Sequence, residues 1–138
     1  MRVRKLIPGL ALLLGACGYN SIQQMDETAG AAKQQIAVML QRRADLVPNL
    51  VNTVKGYAAQ EAEVFEKVAQ ARAGLAGAVS GGNVGEMANA NQAMTGALGR
   101  LLAISESYPT LKSDQNFLRL QDELVGTENR IRSEERRV

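Results

Sequence analysis

Apolar residues recur along this chain at alternating steps of three and four, the spacing of one helical face. Ile22, Met25, Ala29, Ala32, Ile36, Met39 and Arg43 form a first seam, with a charged last member. A second stripe runs through Leu50, Val54, Tyr57, Val64, Val68, Ala71 and Leu75, broken once at Glu61. Met87, Ala90, Met94, Ala97, Leu101, Ile104 and Tyr108 make a third. Phe117, Leu120, Leu124, Thr127 and Ile131 mark the inner face of a fourth. No segment alternates at period two, so no sheet is expected and the fold class is all-α.

Capping and breaking residues set the expected boundaries. Asn20 or Ser21 can cap a first helix over 20–43. Arg42 and Arg43 suit the negative end of its dipole. Asp45 suits the free N–H groups of a second helix over 45–75, and Pro48 falls near that helix's first turn, where a missing N–H costs least. Residues 41–59 therefore read as an elbow. Gly74 to Gly85 (GLAGAVSGGNVG) is nearly uncharged and reads as a flexible connection. A third helix over 84–107 ends before Pro109, and Ser113 or Asp114 caps the fourth. Long helices with short connections favour an antiparallel up-down-up-down four-helix bundle. The elbow and the 108–113 connection would share its far tip. Gly30, Gly56, Gly96 and Gly126 fall at similar depths in the four helices. That suggests a layer of close helix approach, with coincidence as the competing reading.

The start of the chain is of another kind. Arg2, Arg4 and Lys5 precede a short apolar run from Leu6 to Leu14, which is too short to span a bilayer. Leu14-Gly15-Ala16-Cys17 follows, resembling the box at which lipoprotein signals are cut. The expectation is a signal peptide over 1–16 and a helical domain over 17–138 whose Cys17 carries acyl chains. An ordinary export signal or short membrane anchor with an idle cysteine is the alternative. Cys17 is the only cysteine, so no internal disulfide can form. Loss of Arg2, Arg4 and Lys5 with the leader turns a net charge of +2 into −1. The basic character thus belongs to the leader and does not point to nucleic acid.

Several chemistries are excluded. With no histidine, the commonest general base and transition-metal ligand are absent. With Cys17 acylated, no thiol nucleophile remains. The Gly81-Gly82 stretch lacks the Lys-Ser or Lys-Thr of a phosphate-binding loop. Glu61, Glu63 and Glu66, and Asp122 with Glu123, are read as solvated helix faces in preference to an all-carboxylate metal site. Gln121 and Glu128 flank the inner face of the last helix and read as boundary or hydrogen-bonding residues. No catalytic residue, metal ligand, cofactor or small-molecule substrate is expected.

Two stretches, QRRADLVPNLVNTVKGYAAQE and YPTLKSDQNFLRLQDELVGTENRI, resemble the LemA family, as does YNSIQQMDE at the start of the first seam. The resemblance implies a helical bundle held at a membrane, outside the cytoplasm, with no settled enzymatic activity. The closing RIRSEERRV departs from the family, whose last helix usually continues. That implies a groove beside the first helix left partly uncovered. Arg42, Arg43, Asp45, Asn49, Asn116 and Arg119 are the candidates for a partner-binding surface. The function expected is that of a lipid-anchored, non-catalytic binding or scaffold protein of the cell envelope, its partner an unidentified envelope protein. Gly18 after the cysteine points to the inner leaflet of an outer membrane if the cell has two membranes. An accessory subunit of an envelope enzyme, or a carboxylate-metal bundle, is the alternative.

Overall fold

The computed structural model describes the backbone of residues 7–137 and the side chains of residues 18–137. All described secondary structure is helical. Four long helices are present, α1 (Ile7–Ala58), α2 (Ala62–Gly81), α3 (Val84–Ser105) and α5 (Gln115–Glu135), with a single turn, α4 (Pro109–Lys112). Arg2, Arg4 and Lys5 lie outside the described residues, as does the side chain of Cys17.

The expected elbow at 41–59 is absent. α1 runs for 52 residues straight through Pro48. A proline there removes the N–H that would bond the carbonyl four residues earlier, that of Ala44. Arg72 of α2 supplies the substitute, its Nε donating to the Ala44 carbonyl at 2.9 Å. The face that contains Pro48 is also needed in the core: Ala44, Val47, Leu50, Val54 and Ala58 are all buried. Burial of five apolar side chains on one continuous stripe outweighs the loss of one helical hydrogen bond. The chain turns instead at 59–61, where the Glu61 amide closes on the Ala58 carbonyl at 3.1 Å. No cap forms at Asn20 or Ser21, because the helix is already under way there.

The glycine-rich 74–85 stretch is mostly helix as well. α2 keeps Leu75 and Ala78 in the core and stops only at Gly82, whose φ of +71° is the left-handed conformation that favours glycine. Asn83 then caps α3, its side-chain oxygen accepting from the Glu86 amide at 3.0 Å. Asp114 caps α5 in the same way, accepting from the Phe117 amide at 2.9 Å. Gly30, Gly56, Gly96 and Gly126 do not form a layer of close approach. All four are exposed, and a methyl group at any of them would meet open space.

α1 packs against α2, α3, α4 and α5, and α2 packs against α3. Along α1, Arg43, Thr53 and Tyr57 meet Glu128, Asn116 and Asp114 of the α5 end. On its other side Ala44 and Lys55 meet Arg72 and Phe65 of α2. α3 and α5 make no direct backbone approach to each other. The core, from Ile36 to Ile131, therefore wraps α1, and a cleft is left between α3 and α5.

Candidate functional site

The floor of that cleft is a buried cation. Arg43 follows a heptad seam into the core and is only 4% exposed. Its Nη1 lies 2.7 Å from Glu128 Oε2 and donates to Thr95 Oγ1 at 3.0 Å and to Asn91 Oδ1. Three helices thus meet at one guanidinium: Arg43 on α1, Asn91 and Thr95 on α3, Glu128 on α5. Glu128 is also held by Arg132, one turn on, at 3.3 Å. Burial pushes the Arg43 pKa below its usual value, Glu128 works against that shift, and the Arg132 charge adds to it. The side chain still carries its proton, as arginine does in proteins. Its Nε is buried without a hydrogen-bond partner.

Above this floor the cleft divides in two. One part, of about 320 Å³, has walls of Leu98, Gly99 and Leu102 from α3 and of Leu124 and Val125 from α5, with Arg43 and Arg132 at its base. The other, of about 400 Å³, is polar and lies beyond Thr95, between Asn89, Gln92, Glu128 and Glu135. In the sequence Arg43 is the odd charged member of its seam and Glu128 a boundary residue, and their meeting is not legible there because 85 positions separate them.

The six residues proposed for partner binding are split by the fold. Arg43 faces inward and is not on the surface. Arg42, Asp45 and Asn49 are exposed and share a stripe of α1 by their spacing, in the middle of the bundle and not at its tip. Asp45 accepts from Gln41 at 3.0 Å. Asn116 donates to Thr53, one turn beyond Asn49, at 3.0 Å. Arg119 bonds Asn116 at 2.8 Å and Glu123 at 3.1 Å. The Asn116–Thr53 bond is what ties these two exposed groups together across the α1–α5 seam. The far tip is built from other residues: Tyr57 donates to Asp114 at 2.8 Å, Gln60 to the Tyr108 hydroxyl, and Lys112 pairs with Glu106 at 2.8 Å. Among the described residues no group of three or more carboxylate, histidine or cysteine side chains is placed to hold a metal ion.

At the other end α1 runs clear of the core. Tyr19, Ile22 and Met25 are 63%, 67% and 73% exposed, and Ala32 is the first buried side chain among those described. No helix among the described residues is long and apolar enough to cross a membrane.

Comparison with known proteins agrees with this division. The chain is 33% identical to the magnetosome protein MamQ of Magnetospirillum gryphiswaldense, over 83% of this chain and 51% of the relative. It is 29% identical to magnetosome proteins MamQ 1 and MamQ 2 of Paramagnetospirillum magneticum, over 82% of this chain and 50% of each. It therefore spans about half the length of these relatives. The LemA family profile matches residues 32–138, beginning at the residue where α1 enters the core, and the chain belongs to the LemA family.

Proposed function

We propose that this protein is a non-catalytic binding or scaffold protein of the cell envelope, held at a membrane by acyl chains on Cys17. The observation that carries this reading is the continuity of α1, which runs without a break from Cys17 into the core. A rigid helix transmits the position of its anchored end. From residue 18 to Ala32 it spans about 21 Å at ~1.5 Å per residue. The core would stand off the bilayer by that distance, on the side to which the leader exports it. The membership in a family with this reading, and relatives named as proteins of the magnetosome, support a role in an envelope or membrane structure.

The contact registers support an antiparallel up-down-up-down arrangement of the four long helices, with α1 and α3 running one way and α2 and α5 the other. In that arrangement the α1–α5 patch of Arg42, Asp45, Asn49, Asn116 and Arg119 lies along the side of the rod. It is the surface offered to a protein partner. Arg43 serves that surface only indirectly, by fixing α1 against α5.

Anchoring is tested by the mass of the N-terminal peptide and by membrane fractionation. The expected result is a peptide beginning at acylated Cys17, with Cys17→Ser protein no longer held at the membrane through lipid. A protein that keeps its initiator methionine and fractionates with the cytosol would overturn the reading. The patch is tested by cross-linking in cells. Arg42→Ala with Asn49→Ala, or Asn116→Ala with Arg119→Ala, should remove captured proteins that the unaltered chain retains.

A further inference from the structure

We propose that the cleft between α3 and α5 is a binding site for a fatty acid, a single apolar chain ending in a carboxylate. The carboxylate would sit at Arg43 and Arg132, and the chain between Leu98, Leu102, Leu124 and Val125.

Three observations carry this assignment. The first is size and lining. A volume of about 320 Å³ walled by aliphatic side chains lies at the lower end of small-molecule pockets, which run from roughly 300 to 1,000 Å³. Val125 at its mouth is half exposed, so the unfilled site leaves apolar surface in water. The second is the state of Arg43. Every hydrogen bond and ion contact it makes runs through Nη1. Nε is shut inside the protein, but Nη2 takes part in none of these contacts, and Arg43 lines this pocket. Nη2 of Arg43 and the guanidinium of Arg132 can each donate a charge-assisted N–H bond to one carboxylate.

The third observation is charge. Arg43 and Arg132 converge on one carboxylate, Glu128, so the base of this pocket carries an excess of one positive charge. Glu135 lines the neighbouring polar hollow and not this one. An anionic head group restores balance in a partly desolvated place, whereas a neutral head does not and a cationic head is repelled. The aliphatic walls select the rest of the molecule. A small hydrophilic anion would leave them wet, and an uncharged hydrocarbon would leave the excess positive charge unbalanced. The site stands whether or not Cys17 is acylated, since none of its residues precedes Arg43.

Calorimetric titration of the full chain with dodecanoate, below its micelle-forming concentration, tests the proposal beside dodecanol and dodecyltrimethylammonium. One saturable site per chain is expected for dodecanoate. Dodecanol should bind at least about tenfold more weakly, given the strength of charge-assisted hydrogen bonds, and the cation should not saturate. Arg132→Gln should weaken dodecanoate by roughly threefold to tenfold and leave dodecanol unchanged. Gly99 lines the pocket and has open space around it, so Gly99→Leu fills the cleft without a backbone clash. That variant should keep its helical circular dichroism and lose binding by at least about tenfold. Val125→Glu, at an exposed position, should do the same should Gly99→Leu not fold. Equal affinity for dodecanoate and dodecanol, no saturation, or undiminished binding in folded pocket variants would each overturn the assignment.

Discussion

Ile22 and Met25 lie on the same helical seam as Ala32 and Ile36, yet the first pair is 67% and 73% exposed and the second pair 2%. The two stretches of α1 share a period, a helix and a similar composition. They differ in whether another helix reaches them. α5 ends at Glu135, and its last turn touches α1 near Gln24 to Thr28, where Arg137 closes a shallow surface hollow. Beyond that level nothing among the described residues covers the seam. Periodicity names the face of a helix that could be buried. It does not say whether a partner is present to bury it.

The largest expected effect separates these stretches directly. Ile36→Ala removes a fully packed side chain and should cost about 2–5 kcal/mol in urea unfolding. Ile22→Ala, on the exposed continuation of the same seam, should stay within about 0.5 kcal/mol of the parent. Similar losses at both positions would mean that the outer stretch is also covered, by a partner or a second copy.

Next in size is the buried pair. Glu128→Leu leaves Arg43 charged and desolvated and should cost about 3 kcal/mol. Arg43→Met combined with Glu128→Leu should recover most of that loss, because two apolar groups need no solvation. The recovery identifies the cost as that of a stranded charge and not of a cavity.

Pro48 gives a third comparison inside α1, between a helical turn with its own hydrogen bond and one whose bond comes from outside. Arg72→Met should cost about 1–2 kcal/mol by orphaning the Ala44 carbonyl. In a Pro48→Ala background, where the helix can satisfy that carbonyl itself, the same change should cost markedly less. A double-mutant cycle in chemical denaturation reads the difference as a coupling between positions 48 and 72. Two additive single effects would remove the compensation from the account of why α1 does not bend.

The same residues show what was legible in the sequence. Buried positions of α3 and α5 followed from spacing alone, since Met87, Met94, Leu101, Phe117, Leu120, Leu124 and Ile131 are all in the core. Asp114 was readable as a cap because capping is a local interaction. Pro48 misled because its remedy, Arg72, lies on another helix. Gly74 to Gly81 misled because glycine weakens a helix only locally, while Leu75 and Ala78 gain from packing. The cleft was invisible for the same reason. Leu124 belongs to an inner face by its spacing, Leu98, Leu102 and Val125 fall outside every seam, and only the gap between α3 and α5 makes the four of them walls.

At the tip, where the packed end of α1 finishes, pH provides a gentler probe. Asp114 is held below its ordinary carboxylate value, first by the Phe117 amide and then by the Tyr57 hydroxyl. Its folded pKa is depressed, so its contribution is present above the unfolded value near 3.8 and is lost as pH falls through the folded value. Tyr57 is raised, mainly by that hydrogen bond, so its contribution holds below an unfolded value near 10.0 and fades as pH rises through the folded one. Asp114→Asn should flatten the acid limb of a stability–pH profile, and Tyr57→Phe should flatten the alkaline one. Changes at the outer stretch that touch no titrating group, such as Ile22→Ala, should leave both limbs where they are.

The smallest effect sharpens the contrast between stretches most, because it involves no contact at all. Gly56 lies in the packed part of α1 and Gly18 in the projecting part, and a methyl group at either would meet open space. Helix propensity alone favours alanine over glycine by about 1 kcal/mol at both. The gain counts toward global stability only where helix formation is coupled to folding of the core. Gly56→Ala should therefore raise the urea midpoint by the equivalent of about 0.5–1 kcal/mol. Gly18→Ala, in unacylated Cys17→Ser protein, should leave the midpoint unchanged and instead slow amide exchange locally around residues 18–24. Equal rises at both positions would show that α1 melts as one unit. The exposed stretch would then unfold only together with the core it carries, and not by fraying from its own end.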